Sequence, residues 1–107
     1  MDVADWRKKI DELDRKLVEL LNQRATFARE IGHLKQGMQS PITDPARERE
    51  IFENVRRNNR GPLPDRDLLN LYERILDIMR KLEHEQTGQA MAARQAAGSE
   101  LEAEADE

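Results

Sequence analysis

From Trp6 onward, the apolar residues of the chain recur in steps of three and four. They are Trp6, Ile10, Leu13, Leu17, Leu20, Leu21, Phe27, Ile31, Leu34 and Met38, with no proline among them. This spacing predicts one long amphipathic helix. Asp5 is placed to cap its start, because a short acidic side chain there accepts from free backbone N–H groups. The helix is expected to end near Gln36 or Gly37, where glycine eases the turn. Thirty or more residues make it about 45–50 Å long. Residues 40–43 form a short connection, and Asp44-Pro45 then reads as a second helix start, a cap followed by a proline that loses no hydrogen bond. Its apolar face is Ile51, Phe52 and Val55, and Gly61-Pro62 stops it. A third helix begins near Pro64-Asp65, carries Leu68, Leu69, Leu71, Tyr72, Ile75, Leu76, Met79 and Leu82, and is expected to end near Gln86. No strand-like alternation and no internal repeat is visible.

The expected fold is therefore all-α, a three-helix chain with one long N-terminal helix. Residues 1–86 form the helical domain. Residues 87–107 are rich in alanine and acid, with almost no large apolar residue, and read as a disordered tail. A compact globule of about 86 residues is only about 30 Å across. The first helix outruns it, so one end of the apolar stripe lacks cover within its own chain. Antiparallel pairing of two such helices under two-fold symmetry would supply that cover, which predicts a homodimer.

Composition narrows the function. The 107 residues include no cysteine, which excludes disulfides, thiolate metal sites and a cysteine nucleophile. His33 and His84 are isolated and read as surface residues, so no metal site is expected. No apolar run reaches the roughly 18–20 residues that span a bilayer, and the N-terminus lacks the apolar core of a signal peptide. The expectation is a soluble, cytoplasmic protein without a membrane partner. The net charge of −4 comes from the last 21 residues; residues 1–86 hold 17 acids and 17 bases. A neutral body is not a nucleic-acid binder.

Position matters more than total charge. The stripe of the first helix passes through Arg24 and touches Lys35, which lie about 20° apart around the axis and about 16 Å apart along it. Two long cations at that spacing can converge on a small anion. They can equally snorkel at the stripe edge, as charges on polar helices generally do. On the second helix, Arg47 and Glu48 precede the apolar face by one turn and point inward, whereas Arg49 points elsewhere. On the third, Met79 and Glu83 follow the stripe. Trp6 and Phe27 read as packing residues.

Taken together, Arg7 in WRKKIDELD, Arg24 in LVELLNQRATFAREIG, Lys35 in IGHLK and the segment TDPARERE resemble the AroQ-class, all-helical chorismate mutases. The resemblance runs from about Trp6 to Gln86. It implies an intertwined homodimer with two active sites built from both chains, acting on chorismate without a cofactor. Arg7 is then expected to reach in from the partner chain; it lies about 100° around the helix from Arg24, so it would serve a different site. The resemblance assigns Arg24 and Lys35 to the two substrate carboxylates and brings Lys35 also to the ether oxygen. Arg47 supports the substrate, Glu48 binds its ring hydroxyl, and Asp44 lines the pocket. Two positions depart from the commonest pattern. Glu83 stands where glutamine often donates to the ether oxygen, and a carboxyl group can donate only when protonated. Met79 stands where a small hydroxyl residue is often found.

The implied reaction, chorismate to prephenate, is an intramolecular rearrangement with no proton transfer. It calls for a held conformer and for stabilisation of charge growing on the ether oxygen. Arg24, Lys35 and a protonated Glu83 suit those tasks. Three rivals stand beside this reading. One is an isochorismate–pyruvate lyase on the same scaffold, for which Asp44 to Glu48 speaks less well. Another is a non-catalytic dimerisation module, which gives no reason for Arg24, Lys35, Arg47 and Glu83 all to face inward. The third is a mutase that depends on another shikimate-pathway protein, for which Met79 and the tail leave room.

Overall fold

The structure is a computed structural model that describes the backbone of residues 1–95 and the side chains of residues 1–84. Three helices follow one another: α1 (Val3–Met38), α2 (Pro45–Asn58) and α3 (Asp65–Gln95). Among the described residues there is no strand.

Helix α1 begins earlier than its apolar stripe. Its N-cap is Asp2 rather than Asp5. Asp5 N donates to the Asp2 carboxylate at 2.9 Å, and Asp2 N donates back to the Asp5 carboxylate at 3.1 Å. This reciprocal box satisfies two free donors, so Asp5 serves as its third helical residue. The other end also lies beyond the expected stop. Gln39, not Gly37, takes the left-handed conformation at φ 54°, and Ser40 N donates to the Lys35 carbonyl. Helix α2 starts as its sequence predicts, with Asp44 Oδ1 accepting from Arg47 N at 3.1 Å and Pro45 in the first turn.

Asn59 organises the turn into α3. Its amide donates to the Leu63 carbonyl and the Asp65 carboxylate, and its oxygen accepts from Gly61 N. Gly61 sits at φ 75°, where a side chain would be strained. Helix α3 then continues to Gln95, nine residues past the expected end at Gln86. Alanine and glutamine in that stretch are good helix formers, so propensity prolongs the helix without an apolar stripe. Residues 96–107, the rest of the segment read as a disordered tail, lie outside the described residues.

Helix α3 packs against both other helices. Its crossing with α1 is close. Ala28 on α1 and Leu76 and Met79 on α3 are buried, and Gly32 is buried directly against the α3 backbone. A Cβ atom on Gly32 would lie 3.0 Å from both the Cα and the carbonyl oxygen of Glu83. Two small residues one turn apart, Ala28 and Gly32, thus let the helices approach.

The N-terminal half of α1 has no such cover. Every residue from 1 to 20 is exposed. Trp6 is 55 % exposed and Leu13 62 %, so the packing role expected of Trp6 is not met within the chain. An apolar stripe left bare in this way marks an interaction surface.

Gly32→Ala should lower the melting temperature by several degrees, since forcing a methyl group against backbone costs about 1–3 kcal/mol. Gly37→Ala, where nothing lies within 4 Å of the added carbon, should melt at or above the native temperature. Equal melting of both variants by circular dichroism would contradict the close crossing.

Candidate active site

The close crossing makes the floor of a cavity of about 290 Å³, at the small end of ligand sites. Helix α1 contributes Arg24 and Lys35 with Phe27, Ala28 and Ile31. The α2 side contributes Ile42, Asp44, Arg47, Glu48 and Ile51. Helix α3 contributes Leu76, Met79, Arg80 and Glu83. Seven of the eight residues singled out from the sequence therefore meet in one place. Arg7 does not: it lies exposed on α1, about 25 Å along the axis from Arg24. Phe27, expected to pack, is 67 % exposed and borders the cavity.

The polar groups are held in distinct ways. Lys35 Nζ donates to the Ile42 carbonyl at 3.0 Å, which ties it to the connection before α2. Asp44 is engaged as the α2 cap. The Arg47 guanidinium pairs with Glu50 on the exposed face of α2. Glu48 pairs with Arg80, with Arg80 Nε 2.9 Å from Glu48 Oε2. Arg24 is half-buried and makes no hydrogen bond or close ion pair among the described residues. A half-buried guanidinium without an acceptor is suited to an incoming anion.

Two contributors were missed from the sequence. Arg80 follows buried Leu76 by one turn, so the test that singled out Arg24, a charge in apolar register, would have found it on the third helix. The Ile42 carbonyl had no signal, because its part is played by backbone.

Four cations and three carboxyl groups line the cavity. With all ionised the sum is +1, and with one carboxyl group protonated it is +2. Glu83 is the group whose environment favours protonation. Burial pushes its carboxyl group above the ordinary value of about 4.5; Lys35, His84 and Arg24 pull it back in part, and Glu48 adds to the rise. The site is thus a small apolar-walled pocket lined by cations and by a carboxyl group whose pKa burial raises. That arrangement suits a small dianion rather than a nucleophilic or metal-assisted reaction.

The family described as chorismate mutase type II matches residues 6–84, and the chain belongs to that family. It is 38 % identical to a bifunctional chorismate mutase/prephenate dehydratase of Aquifex aeolicus over 77 % of its own length, and spans about a quarter (24 %) of that relative. Among solved structures it is similar to a chorismate mutase of Thermus thermophilus, with TM-score 0.77 and 32 % identity, covering 78 % of this chain and 96 % of the other. It is also similar to a Helicobacter pylori chorismate mutase in complex with prephenate, with TM-score 0.73 and 31 % identity, covering 80 % and 93 %. The all-helical, three-helix architecture is shared with these neighbours. Among the described residues, no helix is long and apolar enough to cross a membrane.

The raised Glu83 value has a consequence for stability. The folded chain holds this proton more tightly than the unfolded chain, so stability falls as pH rises from about 4.5 through the folded value. Glu83→Gln removes the titration. Its melting temperature should gain on the native chain as pH rises through that window, and a constant difference across the window would exclude the shift.

Proposed function

We propose that the chain is a chorismate mutase, converting chorismate to prephenate as an intertwined cytoplasmic homodimer with active sites shared between subunits. The observation that carries the reading is the meeting of Arg24, Lys35 and Glu83 at the α1–α3 crossing of a chain in this family. The names of its relatives favour the mutase over the lyase. The functional unit is residues 1–86.

The chemistry follows from the side chains. Chorismate carries two carboxylates, and its flexible enolpyruvyl arm must be held over the ring before the new C–C bond can form. Arg24 offers a planar fork for one carboxylate, and Lys35 a point charge for the other. As the C–O bond breaks, negative charge grows on the ether oxygen. The Lys35 ammonium and the O–H of protonated Glu83 donate to it, while an ionised Glu83 would repel it. Glu48 accepts from the ring hydroxyl, Arg47 and Asp44 border the substrate, and Met79 closes the apolar wall. No cofactor enters this scheme. A million-fold acceleration corresponds to about 8 kcal/mol, which preorganised charge and conformer restriction can supply together.

The dimer completes both fold and site. Pairing of two α1 helices would cover the bare stripe from Trp6 to Leu20 and bring Arg7 of the partner subunit toward the pocket. The cleft beside the pocket shares Arg24, Arg47 and Ile51 with it, so the pocket has an open side where such a residue can enter. The fused activity named for the Aquifex aeolicus relative supports a shikimate-pathway protein as a further partner.

Loss of chorismate absorbance, with acid conversion of the product to phenylpyruvate, measures the reaction. The chain should show turnover that declines as pH rises, and Glu83→Gln should flatten that decline. Arg24→Ala and Arg7→Ala should each lose about 10²-fold or more. Co-refolded in equal amounts, the two variants should recover about a quarter of native activity, because half the dimers then carry one intact site. No turnover by the native chain would sink the mutase; no recovery on mixing would sink the shared site.

A further inference from the structure

Arg80 has no part in the scheme above, yet its guanidinium is the closest charged neighbour that the structure gives Glu48. The two side chains come from different helices and are only 35 % and 26 % exposed. Arg80 is also held from the far side: its NH1 group lies 3.2 Å from Asp77 Oδ1, one turn back on α3. Asp77, Arg80 and Glu48 thus form a charge-alternating chain that runs from α3 across to α2. The link to Glu48 has a telling geometry. Arg80 Nε lies 2.9 Å from the carboxylate but lacks the alignment of a hydrogen bond. The attraction is therefore chiefly charge on charge, and it leaves Glu48 lone pairs for another donor.

The pair also has a place in the walls. Glu48 and Arg80 both border the site cavity, and both border the groove on the outer side of α2 and α3. They form the partition between the two. Without Arg80, Glu48 would face the Glu83 carboxyl group without its paired cation, the adjacent Arg47 being engaged by Glu50, and its long side chain would be free to swing into the outer groove. The other charged groups facing the pocket are Arg24 and Lys35 from α1, Asp44 and Arg47 from the α2 side, and Glu83 with its neighbour His84 from α3.

We propose that Arg80, anchored by Asp77, is a positioning residue that fixes the Glu48 carboxylate as the acceptor for the substrate's ring hydroxyl, and so sets selectivity for substrates bearing that hydroxyl. The proposal rests on the mutase reading and deepens it. Arg80 does not touch the reacting atoms. It acts on how a hydroxylated ring is bound, so its removal should appear mainly in KM rather than kcat.

The test is a double-mutant cycle in steady-state chorismate kinetics, with Arg80→Gln made in the native chain and in Glu48→Gln. In the native chain, Arg80→Gln should raise KM about tenfold with kcat nearly kept, and Arg80→Lys should recover most of the loss. Asp77→Asn should produce a smaller rise in KM. In the Glu48→Gln background, Arg80→Gln should cost nothing further, because the group it positions is gone. The same tenfold loss in both backgrounds, or a loss confined to kcat and melting temperature, would overturn the proposal while leaving the mutase intact. No turnover by the native chain would overturn both.

Discussion

At Gly32 and Glu83 the backbones of α1 and α3 pass so close that a Cβ atom on Gly32 would lie 3.0 Å from the Glu83 backbone. The rest of the site depends on that distance. A methyl group at Gly32 would meet backbone atoms, which cannot swing aside as a side-chain end can. Because the helices touch there, Glu83 starts from the floor of the pocket and its carboxyl group is partly withdrawn from water. Because Arg24 and Lys35 sit on the same face of α1, on either side of Gly32, the same crossing aims two cations at the carboxyl group. Proximity of backbone, partial burial and facing charge are one constraint seen at three levels.

That constraint explains a pocket of mixed sign. Cations alone would bind a dianion but would also repel one another. The carboxyl groups temper this, and each has its own arrangement: Asp44 is engaged in capping α2, Glu48 is paired with Arg80, and Glu83 is drawn toward its neutral form by burial. The result is a site with a surplus of positive charge, suited to an incoming dianion.

Much of this was legible in the sequence, for identifiable reasons. Helical periodicity located all three helices, and Asp44-Pro45 fixed the start of α2, because caps and prolines act locally. Charges lying in apolar register, Arg24, Lys35, Glu48 and Glu83, pointed to the pocket, because a helix face is a matter of counting. The ends of α1 were misread because capping by Asp2 and the left-handed Gln39 lie outside the apolar stripe. The end of α3 was misread because alanine prolongs a helix without any stripe to mark it. Arg80 lay in the same apolar register, one turn past Leu76, and was passed over, while its pairing with Glu48 on another helix had no signal of its own; the Lys35 tie to Ile42 escaped because it uses a backbone carbonyl. The bare N-terminal stripe of α1 was foreseen from length alone, although α3 proved longer than expected.

The central claim is that the pocket accepts a dicarboxylate with Glu83 neutral. It is tested most directly by calorimetric titration with a bicyclic dicarboxylate analogue of the rearranging substrate, near pH 8 in buffers of different ionisation enthalpy. The account predicts one ligand per chain and uptake of a proton on binding, with the uptake abolished in Glu83→Gln. Binding without proton uptake, or no binding at all, would contradict it.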